Sequence, residues 1–431
     1  MFRLMLPITS ILGSVAFLLL GHGLLNTLIT LRGMDEGYSA GMIGIMSSGY
    51  FAGYLVGTWI ATPLIRRVGH IRTFAFYAAL AAAVALLHAL LVNPWTWTAL
   101  RVVYGIAIVT LYMVIESWLN AKVSNEKRGQ IFAIYMAVNL GALALAQQLL
   151  GLASPQAFTL FAVSAILICF ALMPITLTHQ AQPSTPETPP TNLRELARIA
   201  PLPLLASAIS GLSLAGFWGL APLYATQNGF DPEGVGPFMS ISILGGAVLQ
   251  WPIGRLSDRF DRRKVMLCTV LTTIILSLLM STLSAGTPLL VIAFLWGGTA
   301  FSLYSLAVAQ MADQLQPEEL LSASSGLLLA NGFGSSFGPA IVGGLMTLIG
   351  AAALPLFYAV SLSLLLIYAL LRSRRVIDLL SHPLARFTPV IRTSPVVLDM
   401  LDHIVDEDVE AEPNEDDPQP EKPCDSPSNP T

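Results

Sequence analysis

The chain has 431 residues, of which 54% are hydrophobic and only 11% are charged, and its formal net charge is −4. Soluble domains have about 25% charged residues, so this composition excludes an ordinary soluble protein and a chain that is disordered throughout. Three cysteines in the whole chain exclude a disulfide-stabilised scaffold. The composition therefore indicates a membrane protein.

Twelve apolar stretches are long enough to cross the hydrocarbon layer of a bilayer, which takes about 20 helical residues. Because lipid offers the backbone no hydrogen-bond partners, we predict that each stretch is a helix. In chain order the predicted spans are 5–31, 40–64, 73–92, 95–120, 130–152, 157–177, 201–226, 235–256, 265–285, 288–311, 322–349 and 352–371.

Charge is unevenly distributed along the chain. Residues 1–398 contain 21 Lys and Arg against 14 Asp and Glu, whereas 12 acidic residues lie within residues 399–425. If Arg3 is cytoplasmic, 20 of the 22 Lys and Arg residues fall on the cytoplasmic side, and only Arg32 and Arg101 fall near the outer side. This bias predicts a multi-pass protein of the bacterial inner membrane with both termini in the cytoplasm.

A segment rich in Pro, Ser and Thr divides the predicted spans six and six. We predict an N-terminal six-helix half over residues 1–177, a cytoplasmic linker over 178–200, a C-terminal six-helix half over 201–375, and an acidic, largely disordered cytoplasmic tail over 376–431. The predicted fold class is therefore an all-α membrane protein with twelve transmembrane helices in two halves.

The two halves align with each other at a constant offset of 192 in residue number. Chance matches between apolar helices are common, but Gly, Trp, Tyr, Asn and Arg identities at one offset are much rarer. The matched pairs are Gly44 and Gly236, Gly53 and Gly245, Trp59 and Trp251, Arg67 and Arg259, Gly105 and Gly297, Tyr112 and Tyr304, and Asn139 and Asn331. Such a parallel repeat predicts a substrate site between the halves, opened alternately to each side of the membrane.

The loop after the eighth predicted span carries a recognisable motif. Residues 254–264 read GRLSDRFDRRK, which resembles the G-x-L-[SA]-D-R-x-G-R-[RK] loop of the major facilitator superfamily of secondary transporters, with Asp261 in place of the usual Gly. The repeat-equivalent segment 63–72 keeps the Arg-x-Gly core but has Arg66 in place of the acid. This resemblance implies the fold of that superfamily and transport by alternating access.

Two further elements support the same resemblance. The sequence from Arg101 to Gly105 is similar to the R-x-x-x-G element that opens the fourth helix in the superfamily. In combination with IESWLN at residues 115–120, it resembles a bacterial subgroup of these transporters, to which we attach no substrate.

The proton-coupling or gating candidates are charged or titratable residues inside spans, where charge is expensive and usually functional. Glu116 lies six residues before Lys122, about 9 Å inside that end of its span. It is interpreted either as an ion-pair partner of the arginines in the loop after the second span or as a proton carrier. Arg101 is interpreted either as a side chain that extends to the outer surface or, by resemblance, as a cation that biases a nearby acid or binds an anionic group.

His22 shares a helix face with Asn26, and its role is either hydrogen-bonded packing or proton transfer. In the superfamily the first, fourth, seventh and tenth helices line the cavity, which the resemblance implies for this chain. The substrate-cavity candidates are Asn26, Tyr112, Gln147, Trp218, Tyr304 and Gln310. Aromatic and amide side chains with little charge predict a small neutral or amphipathic substrate.

The motif loop is predicted to act as a cytoplasmic gate. Asp258 and Arg262 form an i, i+4 pair near helix ends, where a carboxylate complements the helix dipole. Such a pair could hold the cytoplasmic side closed when the outer side opens. The predicted gate residues are Gly254, Asp258, Arg259, Arg262, Arg263, Arg67 and Arg72.

The sequence lacks the motifs that are signs of an enzyme, a metal protein or a nucleotide-binding protein. No G-x-x-x-x-G-K-[ST] element, Cys/His cluster or nucleophile triad is present, so we expect no enzyme activity, cofactor, metal site or nucleic-acid partner. The leading hypothesis is a proton-coupled secondary transporter of a small solute that works as a monomer and favours export. Proton-coupled nutrient import and a non-transporting membrane sensor or scaffold are the alternatives.

Overall fold

The computed structural model describes residues 2–122, 128–176, 193–315 and 317–372. The predicted tail over 376–431 and most of the predicted linker lie outside these residues. The N-terminal half contains α1 (Phe2–Asp35), α2 (Ala40–Val68), α3 (His70–Leu90), α4 (Pro94–Lys122), α5 (Arg128–Gln148), a 3-10 turn (Leu149–Leu152), α6 (Phe158–Phe170) and α7 (Leu172–Thr176). The remainder contains α8 (Leu193–Ile199), α9 (Pro201–Gln227), α10 (Pro232–Arg259), α11 (Arg262–Met280), α12 (Thr287–Ala312), α13 (Pro317–Ile349) and α14 (Ala353–Arg372).

The described part of the chain contains eleven helices that are long and apolar enough to cross a membrane. The predicted span over 40–64 is not among them, although α2 runs for 29 residues. Glycines and serines lower the hydropathy of α2, and they also let it pack closely against neighbouring helices. The all-α membrane fold predicted from the sequence is confirmed.

Two local differences from the predicted elements have physical reasons. The sixth predicted span is broken between α6 and α7 because Pro174 has no N–H to donate to the carbonyl of Phe170. The predicted linker ends in a short helix, α8, whose Leu196 packs against Ala323 and Leu327 of α13.

The repeat is visible in the turns between helices. Gly37 before α2 and Gly229 before α10 both have positive φ angles, 75° and 102°, which glycine adopts without strain. Ser39 then caps α2 by accepting a hydrogen bond from the Met42 amide, and Asp231 caps α10 in the same way. Both pairs are separated by the offset that relates the halves in sequence, so this offset is also a structural one.

Helix crossings repeat at the same offset. Gly53 of α2 faces the carbonyl of Val102 on α4, and Gly245 of α10 faces the carbonyl of Phe294 on α12. A Cβ atom at either glycine would overlap the facing backbone. The close α2–α4 and α10–α12 crossings therefore require glycine. Two further glycines make the reciprocal approach: Gly105 and Gly297.

Two pairs of helices that are equivalent under the repeat make close contacts between the halves. We call the end of the bundle where α1 begins and α2 and α10 end the linker side, and the opposite end the far side. Gly44 of α2 packs against the carbonyl of Pro339 on α13, and Gly236 of α10 packs against the carbonyl of Gln147 on α5. Pro339 and Gln147 are themselves equivalent positions of the repeat, so the two contacts are related by an approximate two-fold axis along the bundle.

Hydrogen bonds join the halves at mid-depth and toward the far side. Ser48 Oγ accepts a hydrogen bond of 3.0 Å from the Ala340 amide, and the equivalent Ser240 Oγ accepts one of 2.6 Å from Gln148 Nε2. Further bonds join Ser240 to Ala144, Asn26 to Trp218, Thr30 to Gly219, and Gly41 to Thr347.

Candidate functional site

A cavity of about 110 Å³ lies between the two halves, near the middle of the helices. Both halves contribute to its wall, which combines aromatic rings with side-chain amides and, among the described residues, contains no Asp, Glu, Lys or Arg. The lining residues are Asn26, Tyr50, Phe51, Tyr54, Tyr112, Leu143, Leu214, Ala215, Trp218, Gln250, Phe301, Tyr304, Asn331 and Ser335. This wall suits a small solute with an apolar or aromatic body.

The structure brings four of the six predicted cavity residues together: Asn26, Tyr112, Trp218 and Tyr304. Gln147 lies outside the wall, because its amide accepts a hydrogen bond of 2.7 Å from Thr27 and donates to backbone carbonyls of α1 and α5. Gln310 is buried outside the wall, and its Oε1 has no hydrogen-bond partner among the described residues.

The contribution of α2, α10 and α13 to the wall was not predicted from the sequence. Tyr50 and Tyr54 of α2, Gln250 of α10 and Asn331 of α13 line the cavity. Gln250 and Asn331 are amides within apolar helices, and such polar residues could have been identified from the sequence as candidates for the cavity wall. Asn331 also matches Asn139 across the repeat.

Arg101 is buried beside this cavity, with 2% of its surface exposed. Its Nη2 donates a hydrogen bond of 2.5 Å to Asn26 Oδ1, and its guanidinium carbon lies 4.5 Å from the centre of the Tyr50 ring. The side chain therefore points into the bundle rather than out to the surface. Trp97, one turn toward the far side, is also fully buried.

His22 completes an aromatic cluster around this guanidinium. Its ring stacks on Tyr50 and Tyr104, with ring centres 5.6 and 5.8 Å apart, and its Nε2 lies 3.4 Å from the Tyr50 hydroxyl. His22 Nδ1 has no hydrogen-bond partner in the described part of the chain. His22, Asn26 and Arg101 therefore form one cluster, although they come from helices α1 and α4.

Glu116 is fully buried in the linker-side part of α4. The Tyr135 hydroxyl donates a hydrogen bond of 2.6 Å to Glu116 Oε1. Tyr112, one turn before Glu116 on the same helix, lines the cavity. The carboxyl group is therefore one helical turn from the cavity wall.

The predicted gate residues form a charge network within the C-terminal half. Arg262 is 3% exposed and makes ion pairs with Asp258 at 2.9 Å and with Asp313 at 2.8 Å. These contacts connect the end of α10, the start of α11 and the end of α12. Arg263 donates a hydrogen bond of 2.8 Å to the Ala369 carbonyl of α14. Asp313, which is 7% exposed, was not predicted from the sequence.

The other predicted gate residues lie around this network or in the other half. Gly254 is buried within α10, and Arg259 is exposed at its end. Arg67 and Arg72 are exposed on the linker side of the N-terminal half. Asp261 caps α11 by accepting hydrogen bonds from the Arg263 and Lys264 amides.

Comparison with known proteins identifies the family. Residues 11–204 and 203–401 each match the Major Facilitator Superfamily. A protein of Escherichia fergusonii named uncharacterized MFS-type transporter YcaD is 31% identical over 342 residues, which are 79% of this chain and 89% of the relative. A protein of the same name from Escherichia coli is 30% identical over the same shares.

Solved structures show the same fold. The nucleoside transporter NupG is 16% identical, with a TM-score of 0.72 over 86% of this chain and 98% of that one. A bacterial homologue of the human lysosomal transporter Spinster, in an inward-facing and occupied conformation, is 15% identical, with a TM-score of 0.69 over 87% and 98%. The family match, the relatives and the two-repeat helical fold agree with the motif resemblance: this chain belongs to the Major Facilitator Superfamily of multi-pass membrane transporters.

Proposed function

We propose that this chain is a secondary active transporter that moves a small solute across the bacterial inner membrane by alternating access, with its movement coupled to protons. One observation carries the proposal, namely a cavity near the middle of the bundle whose wall comes from both halves. A site shared by two halves changes the side to which it opens when the halves rock against each other. Because one chain forms the cavity, the monomer is the proposed functional unit.

The contacts between the halves support a rocking motion. Ser48 and Ser240 make equivalent hydrogen bonds across the two sides of the interface, toward the far side. Separation of these pairs would open the cavity to the far side. Arg66, Arg67 and Arg259 lie at the linker-side helix ends, so the positive-inside rule favours a cytoplasmic linker side.

Glu116 is the proposed proton carrier. A fully buried carboxyl group that accepts a hydrogen bond from Tyr135 can exist in a neutral and a charged form, and its neighbour Tyr112 lines the cavity. Occupation of the cavity can therefore affect the environment of this carboxyl group through one helical turn. The geometry supports linked solute and proton movement along the linker-side part of α4.

Export in exchange for protons is the proposed direction, and proton-coupled import is the alternative. A cavity wall without acidic or basic residues among those described favours export of a metabolite or drug-like solute over uptake of a highly charged nutrient. The two directions differ in the sign of the proton movement that accompanies solute entry.

The test uses purified full-length protein in liposomes that contain a pH-sensitive dye, with solutes added one at a time outside. Proton exchange makes the interior more alkaline as solute enters, whereas proton symport makes it more acidic. Protein-free liposomes give the background. Glu116→Gln is predicted to abolish the solute-dependent signal, and the exposed Glu233→Gln is the matched control that retains it.

Each result has a defined meaning. A solute-dependent signal that is lost in Glu116→Gln and kept in Glu233→Gln supports the proposal. A signal that survives Glu116→Gln assigns Glu116 a structural role. Solutes that bind without any flux of solute or protons contradict the transporter and favour a sensor.

A further inference from the structure

Arg101 is a buried cation with few hydrogen-bond partners. Its guanidinium has five N–H donors. One hydrogen bond, from Nη2 to Asn26, is formed, whereas Nε and Nη1 are buried without a partner among the described residues. The faces of Tyr50 and Tyr104 lie against the guanidinium, at 4.5 and 5.8 Å from their ring centres. Aromatic faces attract a cation, but they carry no formal negative charge.

No carboxylate neutralises this cation among the residues that the structure describes. None lies within the 4.0 Å ion-pair distance of the Arg101 nitrogens. Glu116 lies 15 residues further along the same helix, about 22 Å away at 1.5 Å per residue. At that separation the attraction between the two charges is weak, because it falls with distance and with the effective dielectric constant of the protein. A buried charge without a partner is strongly unfavourable. The described residues therefore leave this cation in need of a counter-ion.

The guanidinium lies directly behind the cavity wall. Asn26 and Tyr50 both contact Arg101, and both also line the cavity. Because no lining residue that the structure describes is acidic or basic, Arg101 is the formal charge closest to the wall at Asn26. In a cavity with low-dielectric walls, such a charge raises the local concentration of anions.

We propose that the transported solute carries a single carboxylate group, which lies against Asn26 and Tyr50 and serves as the counter-ion of Arg101. This inference rests on the proposed transport function and names its substrate class. A carboxylate at this part of the wall compensates the positive charge of the guanidinium behind it, and Asn26, which accepts the hydrogen bond of Arg101, contacts both groups. Trp218 and Phe301 on the opposite half hold the apolar body of the solute.

The balance of charge selects a monoanion. One guanidinium compensates one carboxylate, whereas a phosphate monoester or dicarboxylate would bring a second negative charge to a wall whose described residues supply no other cation. A monocarboxylate narrows the small neutral or amphipathic solute predicted from the sequence, and it agrees with the second interpretation of Arg101 there, a cation that binds an anionic group.

The experiment measures binding rather than transport. Thermal unfolding of the purified full-length protein is followed by tryptophan fluorescence at neutral pH, where carboxylic acids are ionised. The probes are matched pairs of a carboxylate and its amide: acetate, isobutyrate, benzoate and phenylacetate, each with the corresponding amide. Sodium chloride and phenyl phosphate are the other anions. A ligand that binds the folded protein raises its unfolding temperature.

Wild-type protein is expected to bind at least one carboxylate at least tenfold more tightly than its amide and than phenyl phosphate. Arg101→Gln is expected to remove this preference, and Arg101→Lys to retain part of it. Asn26→Asp supplies an internal carboxylate at hydrogen-bond distance from Arg101 and is expected to remove the preference without removal of the cation. This variant keeps the inference testable if Arg101→Gln does not fold.

Three results would overturn the inference: no carboxylate preference in the wild type, equal stabilisation by chloride and the carboxylates, or a preference that survives both Arg101→Gln and Asn26→Asp. Selective carboxylate binding without any flux in liposomes would contradict the proposed transport function but leave the anion site intact. Flux of neutral solutes with no carboxylate preference would contradict the anion site but leave the proposed transport function intact.

Discussion

The side-chain amide of Asn26 donates a hydrogen bond of 3.0 Å to the backbone carbonyl of Trp218, and these residues occupy equivalent positions of the repeat, 192 residues apart. The same amide accepts a hydrogen bond from Arg101. One side chain therefore connects the buried cation of the N-terminal half to the backbone of the C-terminal half. Because Asn26 and Trp218 also line the cavity, a bound solute contacts this connection directly.

Removal of the Asn26 amide tests that connection. Asn26→Leu keeps a similar volume but leaves the Trp218 carbonyl and one Arg101 donor without partners. We expect a loss of about 2–4 kcal/mol in the free energy of unfolding, since each buried unpaired polar group costs about 1–3 kcal/mol. Unfolding of the purified protein in detergent measures this loss.

Asn139→Leu is the control for that variant. Asn139 is as deeply buried, but its amide donates to the Tyr135 carbonyl of its own helix rather than across the halves. We expect a smaller loss, about 1 kcal/mol. Equal losses in the two variants would argue against a special role for Asn26.

The helix crossings make a second prediction. Gly53→Ala and Gly245→Ala each force a Cβ atom into a facing backbone carbonyl. We expect each to lower the free energy of unfolding by about 1–3 kcal/mol or more, as overpacking does. The two effects should be similar because the crossings are equivalent under the repeat.

A glycine-to-alanine substitution at an open position of a helix is not expected to lower the free energy of unfolding. Gly141 lies within α5 and has no atom within 4 Å of an added Cβ. Gly141→Ala should therefore be neutral or stabilising by up to about 1 kcal/mol, because alanine favours the helix more than glycine does. The unfolding temperatures of the three variants check this order. A destabilised Gly141→Ala protein would count against close packing as the reason for the other two glycines.

The charge network on the linker side makes a third prediction. Asp313 is 7% exposed and Asp258 is 34% exposed, yet both pair with the buried Arg262. Removal of one partner of a buried ion pair costs about 3–5 kcal/mol, so Asp313→Asn should destabilise the protein strongly. Asp258→Asn should cost less than about 1 kcal/mol, because solvent screens the more exposed pair.

Transport rates separate stability from gating in that network. Asp258→Asn is expected to insert into the membrane normally but to turn over slowly, because the pair holds the ends of α10 and α11 together. Wild-type transport rates in Asp258→Asn would rule out a gating role for Asp258. Equal stability of Asp258→Asn and Asp313→Asn would contradict the expected effect of burial.

Much of the fold follows from the sequence because lipid imposes simple rules on helices. Hydropathy predicts most spans, and the constant offset between the halves predicts equivalent turns such as those at Gly37 and Gly229. The break in the sixth span could not be predicted from Pro174 alone, because other prolines, such as Pro222, lie inside continuous helices.

The site was harder to predict, because the face that a membrane helix turns inward is set by packing between helices. A helix that is apolar all round carries little periodic signal. The sequence therefore does not distinguish Tyr50 from other aromatic residues. It also suggests that the Gln147 amide is available to a solute, although Thr27 donates a hydrogen bond to it. The direction of Arg101 depends on Asn26, which comes from another helix.

Alternating access requires the two halves to separate at the far side during each cycle. The test uses a protein whose Cys169, Cys268 and Cys424 are replaced by Ser. Ser48→Cys and Ala340→Cys then give α2 and α13 one thiol each, at two residues that the 3.0 Å hydrogen bond between Ser48 Oγ and the Ala340 amide holds side by side. The control variant carries Ser48→Cys alone. The measurement is solute flux into liposomes before and after oxidation, followed by a reductant. We predict that oxidation stops flux in the double variant and that the reductant restores it. Undiminished flux with the cross-link fully formed would contradict alternating access by this motion.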